Sequence, residues 1–360
     1  MSDKIFTPIK IGAIEAKNRI AMAPLTRSRA VDGDVPNPLA ITYYKQRAQA
    51  GLIVSEGTQI RPDGKGYVTT PGIYSPAQIA GWKKVTDAVH EAGGKIVAQI
   101  WHVGRISHPD HTGGTQPVAP SAVAANAKTF ISSGEFVPVA APRALTLDEI
   151  KQVVADYGTA AKNAIAAGFD GVELHGANGY LIDQFLRDGA NKRTDQYGGS
   201  IENRVRFMTE AVDAAIAAIG ADRVGIRLSP VTPANDLSDS NPQPLFDLAV
   251  SELSKRKIAF LHMVEGATGG PRDIVPDFDF QKLKKLFGGV YIANNGFDGE
   301  MAKKAIDSGE ADMVAFGKWF ISNPDLVERI KTNAPLAAPD KDTFYGGGAK
   351  GYTDYPALSA

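Results

Sequence analysis

His175, Asn178 and Tyr180 fall within six residues, His175-Gly-Ala-Asn178-Gly-Tyr180, directly after the run Asp170-Gly-Val-Glu-Leu174. An imidazole and an amide can together grip an electron-poor oxygen, and a neighbouring phenol can deliver a proton. Arg227 carries similar weight, because it lies inside the apolar stretch Gly225-Ile-Arg-Leu-Ser-Pro230. A charge within a buried strand requires an anionic or strongly accepting partner, either a ligand or an internal ion pair. Asn294-Asn295-Gly296-Phe297 and Gly317-Lys318 complete the set. Backbone N–H groups exposed by glycine, with an ammonium alongside, suit a phosphate; two ordinary turns have the same composition.

The elements that must position these groups follow from hydrophobic period. Short apolar, β-branched runs alternate with longer helical patterns, and strands are predicted near 20–23, 52–57, 95–101, 171–175, 224–228, 260–264, 290–293 and 313–316. Ser75-Pro-Ala-Gln78 places Pro at a first helical position, predicting a helix through His90. Thr146-Leu-Asp-Glu149 reads as a capping box opening a helix towards Ala167. Gly93-Gly94 and Gly168 follow as stops. Eight strand–helix units over this length predict a single-domain α/β fold, a (β/α)8 TIM barrel spanning residues 1–360. A doubly wound open sheet is the alternative, against which no Gly-x-Gly-x-x-Gly turn follows the first strand. The connection from His102 to Ala144, rich in Gly, Pro, Ser and Ala, is too long for a turn and reads as a lid after the third strand. In such a barrel chemistry sits at the carboxyl ends of strands. Thr26, Gln99, His175 and Arg227 all fall near strand ends, although Thr and Gln there are commonly simple loop hydrogen-bonders.

Composition narrows the function. Thirty-nine Lys and Arg against forty Asp and Glu leave no basic field for nucleic acid and no polybasic membrane anchor, so the expected partners are small molecules. The absence of Cys excludes disulfides, a thiolate nucleophile, iron–sulfur clusters and Cys-type zinc sites. His102, His108 and His111 share one loop, yet no His-Glu-x-x-His spacing completes a metal site, and no metal is expected. The start, Met1-Ser-Asp-Lys-Ile-Phe-Thr-Pro, lacks an apolar signal core, and no apolar run approaches the roughly 18 residues of a spanning helix, which predicts a cytoplasmic protein. Oligomeric state is left open.

Several segments, in order, resemble one family. They are Asn18-Arg-Ile-Ala-Met-Ala-Pro-Leu-Thr-Arg27, Gln99-Ile-Trp-His102, His175-Gly-Ala-Asn-Gly-Tyr-Leu181, the run from Asn191 to Arg204, Gly225-Ile-Arg-Leu-Ser-Pro230 and Ser322-Asn-Pro-Asp-Leu326. Together they resemble the old yellow enzyme family of FMN-dependent ene-reductases over nearly the whole chain. The resemblance implies a barrel that holds FMN noncovalently. Pro24, Leu25 and Gly57 would lie against the flavin ring, Thr26 at its O4 edge and Gln99 at its pyrimidine edge. Arg227 would sit near N1 and O2, where negative charge gathers on reduction. Asn295, Gly296, Gly317 and Lys318 would hold the ribityl phosphate; most members carry Arg in place of Lys318, whose ammonium lacks the planar fork.

On the substrate side the resemblance makes His175 and Asn178 the donors to a carbonyl or nitro oxygen conjugated with an alkene, and Tyr180 the acid that protonates the α-carbon. NADPH or NADH would reduce the FMN, which would pass the hydride to the β-carbon of the activated alkene. Some relatives carry a second His at Asn178, and an amide there implies less pH sensitivity. Tyr67, Trp101 and Tyr352 would line the substrate pocket, or simply pack at the barrel mouth. Arg193, Asp195 and Arg204 are expected in structural ion pairs. The loop Glu265-Gly-Ala-Thr-Gly-Gly270 departs from the family pattern and receives no role by resemblance. Alternative readings are a flavin-dependent hydroxy-acid oxidoreductase, a metal-dependent barrel lyase, and a flavin-binding protein without turnover.

Overall fold

All eight apolar runs are strands in the computed structural model, which describes residues 3–358. They are β1 Ile20–Met22, β2 Leu52–Val54, β3 Ile96–Trp101, β4 Gly171–Gly176, β5 Val224–Leu228, β6 Phe260–Val264, β7 Val290–Asn294 and β8 Met313–Phe316. Each pairs in parallel with the next, and β8 returns to β1 with Ala315 opposite Ala21. The sheet is therefore closed, and the (β/α)8 barrel replaces the open-sheet alternative. Between and after the strands run α1 Leu39–Lys45, α2 Pro76–Glu91, α3 Leu147–Ala166, α4 Leu181–Leu186, α5 Ile201–Ile219, α6 Pro242–Lys255, α7 Phe280–Phe287, α8 Gly299–Ser308, α9 Lys318–Ser322 and α10 Leu326–Thr332.

The helix signals act as their chemistry requires. Thr146 accepts from Glu149 N while the Glu149 side chain returns to the Thr146 backbone, and Ser75 and Gln78 form a second reciprocal box. Removing such a cap costs about 1 kcal/mol. Gly93 and Gly168 take φ of 72° and 86°, the left-handed stop that lets α2 and α3 turn back into β3 and β4.

The barrel interior divides into an apolar lower part and a polar upper part. Leu52, Val54, Val97, Phe260, Ile292 and Met313 pack below, closed off by a hairpin of Ile9–Ile11 and Ile14–Ala16 through Ile11 and Ile14. Above them the inward positions switch to Gln99, Glu173, His175, Arg227, His262 and Asn294, all buried. In the strand register Gln99 lies beside Glu173, His175 beside Arg227, and Arg227 beside His262. One tier of the barrel is thus a ring of hydrogen-bonding groups resting on a hydrocarbon floor.

The excursion after β3 is built on the barrel. Val118–Ala119 pairs with Arg143–Ala144, and Lys128–Phe130 forms a hairpin with Phe136–Pro138. Thr129 Oγ1 donates to Gly66 O at 2.8 Å and Ser107 Oγ to Lys65 O at 2.6 Å, while Val103, Ile106, Ala125 and Val139 pack around Trp101 and Tyr180. It caps one side of the mouth. Among the described residues no helix is long and apolar enough to cross a membrane.

Candidate active site

β2 ends at Val54, earlier than its apolar run suggests, so Gly57 lies in the extended segment beyond it. A Cβ on Gly57 would come within 2.7 Å of the Trp101 ring, so this position admits only glycine while that ring stays in place. Trp101 closes β3 and organises the mouth. Tyr67 stacks on it with centroids 5.8 Å apart, His175 stacks at 5.8 Å, and Tyr180 meets it edge-on at 4.9 Å. Tyr180 is also edge-on to His175 at 4.9 Å, and its hydroxyl lies 2.7 Å from that of Tyr67. Four aromatic rings form one box.

Local bonds set the proton positions. His175 Nδ1 accepts from Ala177 N at 3.3 Å, so the neutral ring carries its proton on Nε2 and presents a donor. Burial, then the nearby Arg227 and His262, hold the His175 pKa well below the ordinary histidine range. Burial pushes the Tyr180 phenol up to about 12, so at neutral pH it retains its proton. Asn178 takes the left-handed conformation with φ 57°. Its N–H donates to Ser229 Oγ at 2.7 Å, and its carbonyl accepts from Asn235 Nδ2 at 2.8 Å.

Beside the box opens a cavity of about 410 Å³. Of the residues expected around a flavin, Pro24, Leu25, Arg227, Asn295, Gly296, Gly317 and Lys318 line it, and so does Asn178. Arg227 Nη2 donates to Asn294 Oδ1 at 2.6 Å, and Asn294 Nδ2 is anchored on Ala315 O at 2.8 Å. Arg227 Nε is buried without a hydrogen-bond partner. A cation in the cavity wall with an unspent donor calls for an accepting ligand. The apolar face of Pro24 and Leu25, that cation, and the backbone of Gly296 and Gly317 fit the ring and phosphate of FMN.

Tyr352, Gln99 and Thr26 are not among the residues that line this cavity. Tyr352 is not in the box: it stacks on Tyr43 at 4.2 Å, with the Arg27 and Arg29 guanidinium carbons 5.2 and 4.5 Å from its ring centroid. Those arginines bind chain carbonyls, Arg27 reaching Phe344 O at 2.9 Å and Gly351 O at 2.7 Å, so Tyr352 belongs to the clamp on the C-terminal segment. The tyrosine which that segment sends to the mouth is Tyr345, exposed and close enough to act electrostatically on both Tyr67 and Tyr180. The Asn295 side chain is spent on the loop after β6, donating to Glu265 O and Ala267 O and accepting from Gly269 N. Gln99 lies inside β3 with Nε2 donating to Glu173 Oε1 at 2.8 Å. Thr26 lies half-buried between Leu25 and the clamp residue Arg27.

Sequence reasoning missed Glu173 and His262, whose 2.8 Å contact through Nδ1 reaches from β6 past β5 to β4. The signal was available, since both are polar residues at inward positions of apolar strands, as Arg227 is. Arg193 pairs with Asp195 at 2.6 Å and Arg204 with Asp239 at 2.5 Å, the structural role expected. His102 Nδ1 accepts from Gly104 N, and His111 faces Thr129, so each of these serves its own loop.

The family model for the NADH:flavin oxidoreductase / NADH oxidase family matches residues 4–337. A Leishmania infantum protein named "Probable flavin mononucleotide-dependent alkene reductase" is 46% identical over 99% of this chain and 98% of its own. The structure of morphinone reductase in complex with tetrahydroNAD superposes with TM-score 0.94 at 48% identity, covering 99% of this chain and 98% of that one. An old yellow enzyme homologue from Zymomonas mobilis superposes with TM-score 0.93 at 45% identity, covering 98% and 99%. The chain belongs to the NADH:flavin oxidoreductase / NADH oxidase family, as an FMN-dependent oxidoreductase of the old yellow enzyme type.

Proposed function

We propose that His175 and Asn178 hold the oxygen of an α,β-unsaturated carbonyl or nitro compound, and that Tyr180 protonates its α-carbon. The activity served is that of an FMN-dependent ene-reductase, with NADPH or NADH as reductant. Bound FMN supplies the hydride chemistry that links the nicotinamide to the alkene.

The chain's own groups do the rest. His175 Nε2–H and the Asn178 amide donate to the acceptor oxygen, and these bonds strengthen as negative charge develops there, the logic of an oxyanion hole. Because His175 is neutral, it polarises without becoming a competing acid. Tyr180, protonated and edge-on to His175, is the proton source for the basic carbon next to the polarised group. Tyr67, hydrogen-bonded to the Tyr180 hydroxyl, orients it. Arg227 places positive charge in the cavity wall where the cofactor's electron-rich edge would rest. Trp101 and the capping excursion exclude water from one side.

The observation that carries this reading is the convergence of a neutral imidazole donor, an amide and a protonated phenol beside a cavity holding a buried, partly unpaired cation. The test is optical. The purified protein should be yellow, bleach anaerobically with NADPH, and recover its colour on addition of 2-cyclohexenone. Bleaching with no recovery by any activated alkene would reject the assignment.

A further inference from the structure

Asn178 can act as a donor only if its Nδ2 end faces the acceptor, and an amide turned by half a rotation would offer a repelling carbonyl instead. We propose that Thr268, on the loop after β6, is a positioning residue that fixes which end of the Asn178 amide faces the substrate. The inference rests on the reading of Asn178 as a donor and goes beyond it.

Proton counting carries the argument. Each hydroxyl has one proton to give. Thr268 N donates to Thr232 Oγ1 at 3.0 Å, and the two hydroxyl oxygens lie 3.2 Å apart. Thr232, buried, gives its proton to Thr268 Oγ1. The Thr268 proton is then directed to Asn178 Oδ1, 2.6 Å away. With Oδ1 engaged, both Nδ2 protons are left for the cavity that Asn178 and Thr268 line together. The Asn178 backbone is already pinned by Ser229 and Asn235, so the side-chain amide is the freedom that Thr268 removes.

Thr268 is itself held. Asn295 Nδ2 donates to Glu265 O and Ala267 O at 2.8 and 2.9 Å, and its Oδ1 accepts from Gly269 N at 3.1 Å. A single asparagine from the carboxyl end of β7 thus braces the loop that presents the threonine. His175 has its donor end set by the Ala177 N–H, and Asn178 has its donor end set by Thr268.

The experiment uses the FMN-loaded protein and titrates p-hydroxybenzaldehyde, following its long-wavelength charge-transfer band, in wild type, Thr268→Val, Thr268→Ser, Asn178→Ala and the Asn178→Ala/Thr268→Val double variant. Thr268→Val should weaken binding about tenfold, the value of one oriented hydrogen bond, while Thr268→Ser should stay within about twofold of wild type. In the Asn178→Ala background, Thr268→Val should add no further loss. Wild-type affinity in Thr268→Val, an equal loss in both backgrounds, or loss of FMN from Thr268→Val would each overturn the inference. Wild-type affinity in Asn178→Ala would instead overturn the donor role of Asn178, and this proposal with it.

Discussion

Gln99 Nε2 donates to Glu173 Oε1 at 2.8 Å, which fixes the orientation of the Gln99 amide, with its nitrogen towards the carboxylate and its accepting oxygen on the other side. The other Glu173 oxygen takes the His262 Nδ1 contact, also 2.8 Å. The carboxylate therefore orients a residue expected at the flavin pyrimidine edge and opposes the positive charge of Arg227, two strands of the barrel joined through one buried acid.

That relationship predicts a shift in redox potential. Glu173→Gln keeps the volume and removes one negative charge near Arg227, so electron-rich states of the bound cofactor become more favourable. The midpoint potential should rise by tens of millivolts in dye-equilibration titrations. An unchanged or lower potential would show that Glu173 is only scaffolding.

Removing the Tyr180 hydroxyl separates the two half-reactions. Tyr180→Phe should slow the reaction with 2-cyclohexenone by about a hundredfold or more, within the usual worth of a general acid, and leave flavin reduction by NADPH nearly unchanged. Tyr67→Phe takes away the 2.7 Å partner but not the acid, and should cost about tenfold or less. Stopped-flow absorbance measures both; a larger loss in Tyr67→Phe than in Tyr180→Phe would reverse the assigned roles.

The acceptor grip should be insensitive to pH. His175 is neutral because burial holds its pKa well below the usual range, Asn178 does not titrate, and Tyr180 loses its proton only near about 12. The oxidative half-reaction should therefore be flat between about pH 6 and pH 9. A step near the ordinary histidine pKa that disappears in His175→Asn would contradict this.

Gly57→Ala forces a methyl into the Trp101 ring. Displacing that ring loosens its stacking on Tyr67 and His175, and overpacking of this kind costs about 1–3 kcal/mol. Chemical denaturation should show the loss, accompanied by weaker phenol binding. Wild-type stability and affinity together would mean that the segment around Gly57 moves aside freely.

Acid should act on His102 in a predictable direction. Burial, opposed by Asp63, lowers its pKa to about 4 in the folded chain, below the unfolded value, so the unfolded state binds the extra proton first. The contribution to stability is complete above the unfolded pKa and shrinks as pH falls towards the folded one. Between pH 7 and pH 4 the wild type should lose about 3 kcal/mol more than His102→Asn, measured by urea unfolding at each pH. A constant difference between the two proteins would show that His102 has no depressed pKa.

Strand period, caps and local motifs are properties of neighbours in the chain, and they were legible. The eight apolar runs, the Ser75 and Thr146 starts and the His175–Tyr180 cluster all depend on spacings of a few residues. Arg227 could be singled out because a charge in an apolar strand is conspicuous without any structure. Glu173 met the same criterion, yet its partners Gln99 and His262 are 74 and 89 positions away, and nothing local names them.

The C-terminal tyrosines mark the boundary between the two kinds of information. Tyr345 and Tyr352 are the same residue type seven positions apart, and period does not say which one reaches the mouth. The Arg27 and Arg29 clamp decides it, by burying Tyr352 against Tyr43 and leaving Tyr345 at the rim. In the same way, sequence determined that Asn178 and Asn295 were available as amides. Only the closed barrel decided which of their atoms were already engaged, because hydrogen-bond orientation is set by partners that folding brings together across the sheet.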